Sequence, residues 1–203
     1  MKEQMRVLAK QGTEHVDRRQ LPEAEAAHTA LFQLCDAWLA EHGEDNEVRR
    51  YWCLACNGLG MCRSCAGEQA AAREWYGRSL PFCVQLAEET GAVQAGRDLS
   101  VTYGNLGDTC FAEQDLAGAR GWYEKKWETA SRFAALADTE MQYEMATACC
   151  KMGLVSRGAE QLGWYRTALE WLDRLTETHP DNQWYGQMKE VCQKTIKMLE
   201  NAE

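Results

Sequence analysis

The chain has 203 residues, enough for one domain with a core or for a short stack of repeated units. Its composition, 45% hydrophobic and 26% charged with 3 prolines, excludes a disordered or fibrous protein and suits a helical one. The net charge of −9, from 22 basic and 31 acidic residues that form no long block, leaves no basic stripe for nucleic acid and weakly repels anionic membranes.

The first twenty residues carry charges every few positions and lack the apolar stretch of a secretory leader. No segment approaches about 18 uncharged apolar residues, the length of a membrane span. The expectation is a cytoplasmic protein whose partners include neither nucleic acid nor membrane. LPEAEAAHTALFQLCDAW follows, where Leu21-Pro22 opens a helix with proline in its first turn. Residues 2–44 read as a weak first copy of a two-helix repeat, with His15 standing where later copies carry glycine.

The second copy, 45–91, makes the repeat plain. NGLGMCRSCAGEQAAAREWYGRSL, from Asn57, lies without a gap over GNLGDTCFAEQDLAGARGWYEKKW, from Gly104, at an offset of 47. Leu59 and Gly60 overlie Leu106 and Gly107, while Ala72, Arg73, Trp75 and Tyr76 overlie Ala119, Arg120, Trp122 and Tyr123. Spacings of four, as in Ala72, Tyr76 and Leu80, place one face along a helix, and no alternation of period two suggests a strand.

This copy also holds Cys53, Cys56, Cys62 and Cys65 in a C-x2-C-x5-C-x2-C pattern, whose four thiolates would suffice for a structural zinc. CLACNGLG fits one element of the J-protein chaperone zinc domain, where the element recurs four times. On a helix of roughly 100° per residue, however, Cys53 and Cys56 share one face, Cys62 and Cys65 lie opposite, and the run spans about 18 Å. Those sulfurs cannot meet at one ion with bonds of about 2.3 Å, so zinc requires a broken helix. The ungapped match to the third copy favours packing cysteines, with zinc and a thiol redox sensor as the alternatives. With no leader and adjacent Cys149 and Cys150, the ten cysteines read as reduced thiols.

The third copy, 97–139, has Asp115 as an N-cap, and Gly91, Gly96 and Pro180 are read as lying between units. The fourth, 140–180, starts its match near Gly153 and is aligned with three extra residues, so that Ala168 takes the place of Ala72 and Ala119. Gly60, Gly107 and Gly153 are expected to bring the first helix of a copy close to the second, with an aromatic side chain filling the space beside them. The last segment, 181–201, reads as a helix with Trp184, Met188, Val191, Cys192, Thr195 and Leu199 along one side. It would cap the stack, pair with a second copy of the chain, or begin a further unit.

One such hairpin cannot bury its own apolar face, so the copies must stack. The fold class is therefore all-α, a superhelix or solenoid of four hairpins and a capping helix, over 1–203 as one domain. The recurrence of Trp75 and Trp122 marks core packing, whereas Trp38, Trp52 and Trp184 do not recur and are candidate partner anchors. The four histidines lack metal or catalytic spacing, Glu88-Glu89 reads as solvated surface, and no phosphate-binding glycine loop is present.

Leu-Gly, an alanine twelve or more residues on, an aromatic four later, and Pro180 in the last copy together resemble the tetratricopeptide repeat family over roughly residues 5 to 180. The period of 46–47 exceeds the family's usual value of about 34. It is similar to the long-helix subclass of kinesin light chains and bacterial repeat proteins, a likeness closest in LAEETGAVQAGRDLSVTYGNLGD. The resemblance implies a scaffold that binds a protein or peptide in a concave groove lined by the first helix of each pair, without catalysis or cofactor. Carried over by position, groove residues are Asn57, Met61 and Ser64, then Val101, Asn105, Asp108 and Phe111, then Thr147, Lys151 and Leu154. Chaperone-binding members grip a peptide carboxylate with Lys, Arg and Asn, and here only Asn105 and Lys151 match. Asn105 reads more simply as a helix–helix contact.

Overall fold

The computed structural model describes residues 1–134 and 139–201, so that 135–138, within the third expected unit, lie outside the described residues. Among the described residues there are nine α-helices and no strand. They are α1 (Lys2–Asp17), α2 (Leu21–His42), α3 (Asn46–Cys65), α4 (Gln69–Thr90), α5 (Val93–Ala112), α6 (Leu116–Ala134), α7 (Thr139–Val155), α8 (Gly158–Thr178) and α9 (Gln183–Glu200). Each helix packs on its successor, and the odd-numbered helices α1, α3, α5 and α7 also approach one another directly.

The helix boundaries follow local chemistry. Proline sits in the first turn of α2, the Asp45 carboxylate accepts from the Val48 amide at the start of α3, and Asp115 does the same for Gly118 at the start of α6. Gly91 ends α4 in a left-handed conformation, at φ 58°. Gly96, expected between units, instead lies inside α5, where the Phe133 ring of α6 covers it and leaves no space for a Cβ. A glycine in a helix interior costs about 1 kcal/mol relative to alanine, and here close approach of the ring explains it.

The same contact recurs in every hairpin. A Cβ on Gly12, Gly60, Gly107 or Gly153 would fall inside 3.0 Å of His28, Tyr76, Tyr123 or Tyr165 respectively. Each of these rings is the eighth residue of its helix, α2, α4, α6 or α8. Two sequence alignments are thereby corrected. In the first copy the equivalent glycine is Gly12 and not His15, whose ring binds the Gln20 side chain at 2.9 Å. In the fourth, no residues are inserted: α7 ends two residues after Gly153, where α5 runs five past Gly107, so Tyr165 of Gly163-Trp164-Tyr165 matches Gly121-Trp122-Tyr123. Gln161 then stands where Ala24, Ala72 and Ala119 stand, and its amide donates to the Gly153 carbonyl at 2.9 Å. Ala168 is buried two turns further on.

The outer layer is spaced by larger groups. The seventh residues of α4, α6 and α8 are Trp75, Trp122 and Trp164, and the twelfth residues of α2, α4 and α6 are Phe32, Leu80 and Trp127. Phe32 meets Trp75 edge to face at 5.4 Å between centroids, and Trp127 meets Trp164 likewise at 5.7 Å. Leu80 and Trp122 pack on one core of Ala72, Tyr76 and Leu106. Helix α2 has no even-numbered neighbour before it and carries only Ala27 at the seventh position. Direct approach of the odd-numbered helices and rings between the even-numbered ones curve the stack, with α1, α3, α5 and α7 on its concave side.

Helix α9 buries Tyr185, Met188, Cys192, Ile196 and Leu199 against α7 and α8. Trp184 and Val191, expected on the inner side, are instead 57% and 60% exposed, because the helix is rotated to seat Tyr185 on Tyr143 at 5.6 Å. Its outer side therefore carries Trp184, Val191 and Met198 at spacings of seven.

Candidate functional site: the concave face

Ion pairs join the odd-numbered helices along this face. Arg50 of α3 binds Asp98 of α5 at 2.6 Å, Arg97 of α5 binds Glu140 of α7, and Lys151 of α7 binds Asp108 of α5 at 2.5 Å. Asp108 also accepts the Tyr123 hydroxyl at 2.8 Å, and the Lys151 ammonium lies 5.4 Å from the Tyr123 ring centroid. Tyr123 thus closes its hairpin and orients the acid that fixes Lys151. The sequence marked it only as a recurring aromatic four residues after Ala119.

Asn105 stands one turn before Asp108 on α5. Its Nδ2 is buried and, among the described residues, makes no hydrogen bond. The Nδ2 group therefore takes no part in a helix–helix hydrogen bond. Val101, one further turn back, is partly exposed, while Leu154 on α7 and Phe111 at the end of α5 are 47% and 37% exposed. Along α5 and α7 these residues flank Asp108 and Lys151, whose charges cancel.

Of the other expected groove residues, one is turned inward and three stand on the odd-numbered helices, partly exposed. Asn57 is 6% exposed and spent on a buried network: it donates to Thr102 at 2.9 Å and accepts from Ser79 at 3.1 Å, linking α3, α4 and α5. It presents nothing to a ligand. The Ser64 hydroxyl is tied to Gln69 at 3.2 Å across the α3–α4 connection, and Thr147 donates back to the Glu144 carbonyl at 2.9 Å. Met61 is partly exposed on α3, at the position equivalent to Asp108 and Leu154.

At the next junction the neutral network is replaced by charge. Lys126 of α6 and Glu144 of α7, 2% and 5% exposed, form an ion pair that also reaches the Ser100 hydroxyl of α5, 3.3 Å from the ammonium. Gly104 leaves room for the lysine stem. Burial lowers the Lys126 pKa, and the Glu144 charge opposes that shift.

Helix α3 runs unbroken through Cys53, Cys56, Cys62 and Cys65. The first three are buried in different contacts and Cys65 is exposed, so the sulfurs do not converge. Among the described residues no three His, Cys, Asp or Glu side chains group as metal ligands. Burial pushes the Cys56 thiol up to about 12, as for Cys35 and Cys149, which suits small packing side chains. Nor is any described helix long and apolar enough to cross a membrane.

The chain matches no protein-family model and no curated protein. Among solved structures it is similar to BtubC (BKLC) from P. vanneervenii, at 15% identity and a TM-score of 0.59, over 98% of this chain and 80% of that one. A TPR repeats protein from Bacteroides fragilis NCTC 9343 aligns over 95% of this chain and 99% of its own at 12% identity, but its TM-score of 0.34 is too low to bear on the fold. The fold is a tetratricopeptide-like helical-repeat solenoid.

Proposed function

We propose that this tetratricopeptide-like stack is a non-enzymatic scaffold that holds a peptide segment of a partner protein against α5 and α7. The observation that carries the reading is the Asn105 amide of α5, a buried donor without a partner among the described residues. Such a group costs about 1–3 kcal/mol if left unsatisfied, and a backbone carbonyl of a bound segment would satisfy it once the side chain turns outward, since Nδ2 is closed to solvent in the free chain. Val101, Phe111 and Leu154 supply apolar contact around it, and Lys151 with Asp108 supplies a neutral, oriented pair. A free carboxylate is a poor match, because Asp108 already occupies the ammonium. The preferred ligand is an internal segment with apolar side chains and no net charge.

Selection from a random peptide library displayed on phage, followed by titration of the selected peptides, tests this. Asn105→Ala should weaken their binding by roughly tenfold, the cost of one well-made hydrogen bond to a buried group, and Lys151→Glu should weaken it further. Peptides that ignore both changes but respond to Arg78→Glu would move the binding surface to the outer face, where Glu74, Trp75, Gly77 and Arg78 line a shallow depression.

A further inference from the structure

The ten cysteines are free thiols, and eight of them are buried. One contact departs from simple packing. The Cys150 sulfur of α7 and the Cys192 sulfur of α9 are 3.4 Å apart, and these residues are 42 positions apart in the chain. Cys192 is 2% exposed and Cys150 is partly exposed, so one member is open to a reagent while the other waits beside it. Cys53 and Cys83 also interact, but both are 1% exposed and no reagent reaches either.

We propose that Cys150 and Cys192 form a reversible disulfide that fastens the terminal helix α9 to the stack under oxidising conditions. A disulfide requires sulfurs about 2.0 Å apart, so α9 must close a gap of about 1.4 Å. Helix α9 can do so because it is packed on one side only, with Trp184, Val191 and Met198 open to solvent.

The oxidant is a low-molecular-weight disulfide. Loss of one proton from the pair leaves the other shared across the 3.4 Å contact. When that proton sits on Cys192, the Cys150 thiolate attacks one sulfur of the reagent and releases a small thiolate. Cys192, on losing its proton, attacks the Cys150 sulfur of the mixed disulfide and displaces a second small thiolate. The two protons leave with these, so that two protein thiols and one small disulfide become one protein disulfide and two small thiols. Cys192 is the resolving residue. The shared contact holds the Cys150 thiol up and the Cys192 thiol down, so the Cys150 thiolate is the minor form of the pair, and the adjacent Lys151 charge favours it. The device acts on the end of the stack, with Cys150 on α7 beside the groove residue Lys151.

The test is incubation of the reduced, folded chain with glutathione disulfide, alkylation of remaining thiols, and mapping of peptides without reduction. The expected product is a single cross-link between the Cys150 and Cys192 peptides, with exchange of the α9 backbone amides slowed by about tenfold or more relative to the reduced chain. Cys192→Ser should trap glutathione on Cys150, and Cys150→Ser should leave Cys192 unmodified. A stable glutathione adduct on Cys150 of the unaltered chain, a different pair cross-linking first, or no reaction until the chain is unfolded would each overturn the proposal.

Discussion

The Tyr123 ring occupies the space that a side chain on Gly107 would need, and its hydroxyl donates to the carboxylate of the very next residue, Asp108. Glycine here is a matter of clearance and not of backbone conformation. Gly107→Ala should therefore destabilise the chain by about 1–3 kcal/mol, the range for overpacking, even though alanine is the better helix former. Gly121→Ala, in α6 where nothing lies within 4 Å of the new Cβ, should stabilise by about 0.5–1 kcal/mol. Urea unfolding followed by circular dichroism reads both, and equal shifts would show the register of α5 on α6 to be wrong.

His28 takes the tyrosine position of the first hairpin and lies between Gly12 of α1 and Gly58 of α3. Burial lowers its pKa below the ordinary value of 6.5, against a raising contribution from the Gly12 backbone. The unfolded chain then binds the proton more readily than the folded one. Stability is full above pH 6.5 and is lost as pH falls from there toward the folded-state pKa. The melting temperature should drop between about pH 7.5 and about pH 5.5, and His28→Tyr should flatten that slope. A slope unchanged by the substitution would assign the pH dependence to other groups.

Lys126 and Glu144 share a buried pocket, so removing one partner leaves the other charged without compensation. Lys126→Met alone and Glu144→Leu alone should each cost about 3–5 kcal/mol, whereas the double change should cost far less than the sum. A double-mutant cycle in urea measures the coupling. Additive losses would mean that the two side chains do not depend on each other.

Under native conditions Cys65 should react first with a thiol reagent, while Cys35, Cys56 and Cys149 should react only after unfolding. A strong chelator should leave helicity and melting temperature unchanged. Zinc recovered at one ion per chain, with loss of helix on chelation, would place the four α3 cysteines around a metal after all.

The helical class was legible in the sequence because Gly60 and Gly107, Ala72 and Ala119, and Tyr76 and Tyr123 recur without a gap. The first copy is harder to read: its ring is a histidine, so the spacing points to His15 in place of Gly12. In the fourth copy the shortened end of α7 moved Tyr165 out of the expected spacing, although Gly163-Trp164-Tyr165 repeats Gly121-Trp122-Tyr123 letter for letter. Family position placed Asn57 in the groove, but whether an amide faces a ligand or a neighbouring helix depends on what the next hairpin offers, here Thr102. The Asp108, Tyr123 and Lys151 cluster joins three helices and has no signature in linear spacing.

The rings between the even-numbered helices behave like the outer edges of stones in an arch. Their width, at Phe32 with Trp75 and Trp127 with Trp164, sets how far apart the groove side chains of adjacent hairpins stand on the opposite side. The reach of the concave face is thus set from its back, by residues that a bound segment never touches. Exchanging a tryptophan for leucine there should bring the side chains of adjacent hairpins to a different spacing, with every one of them left as it was.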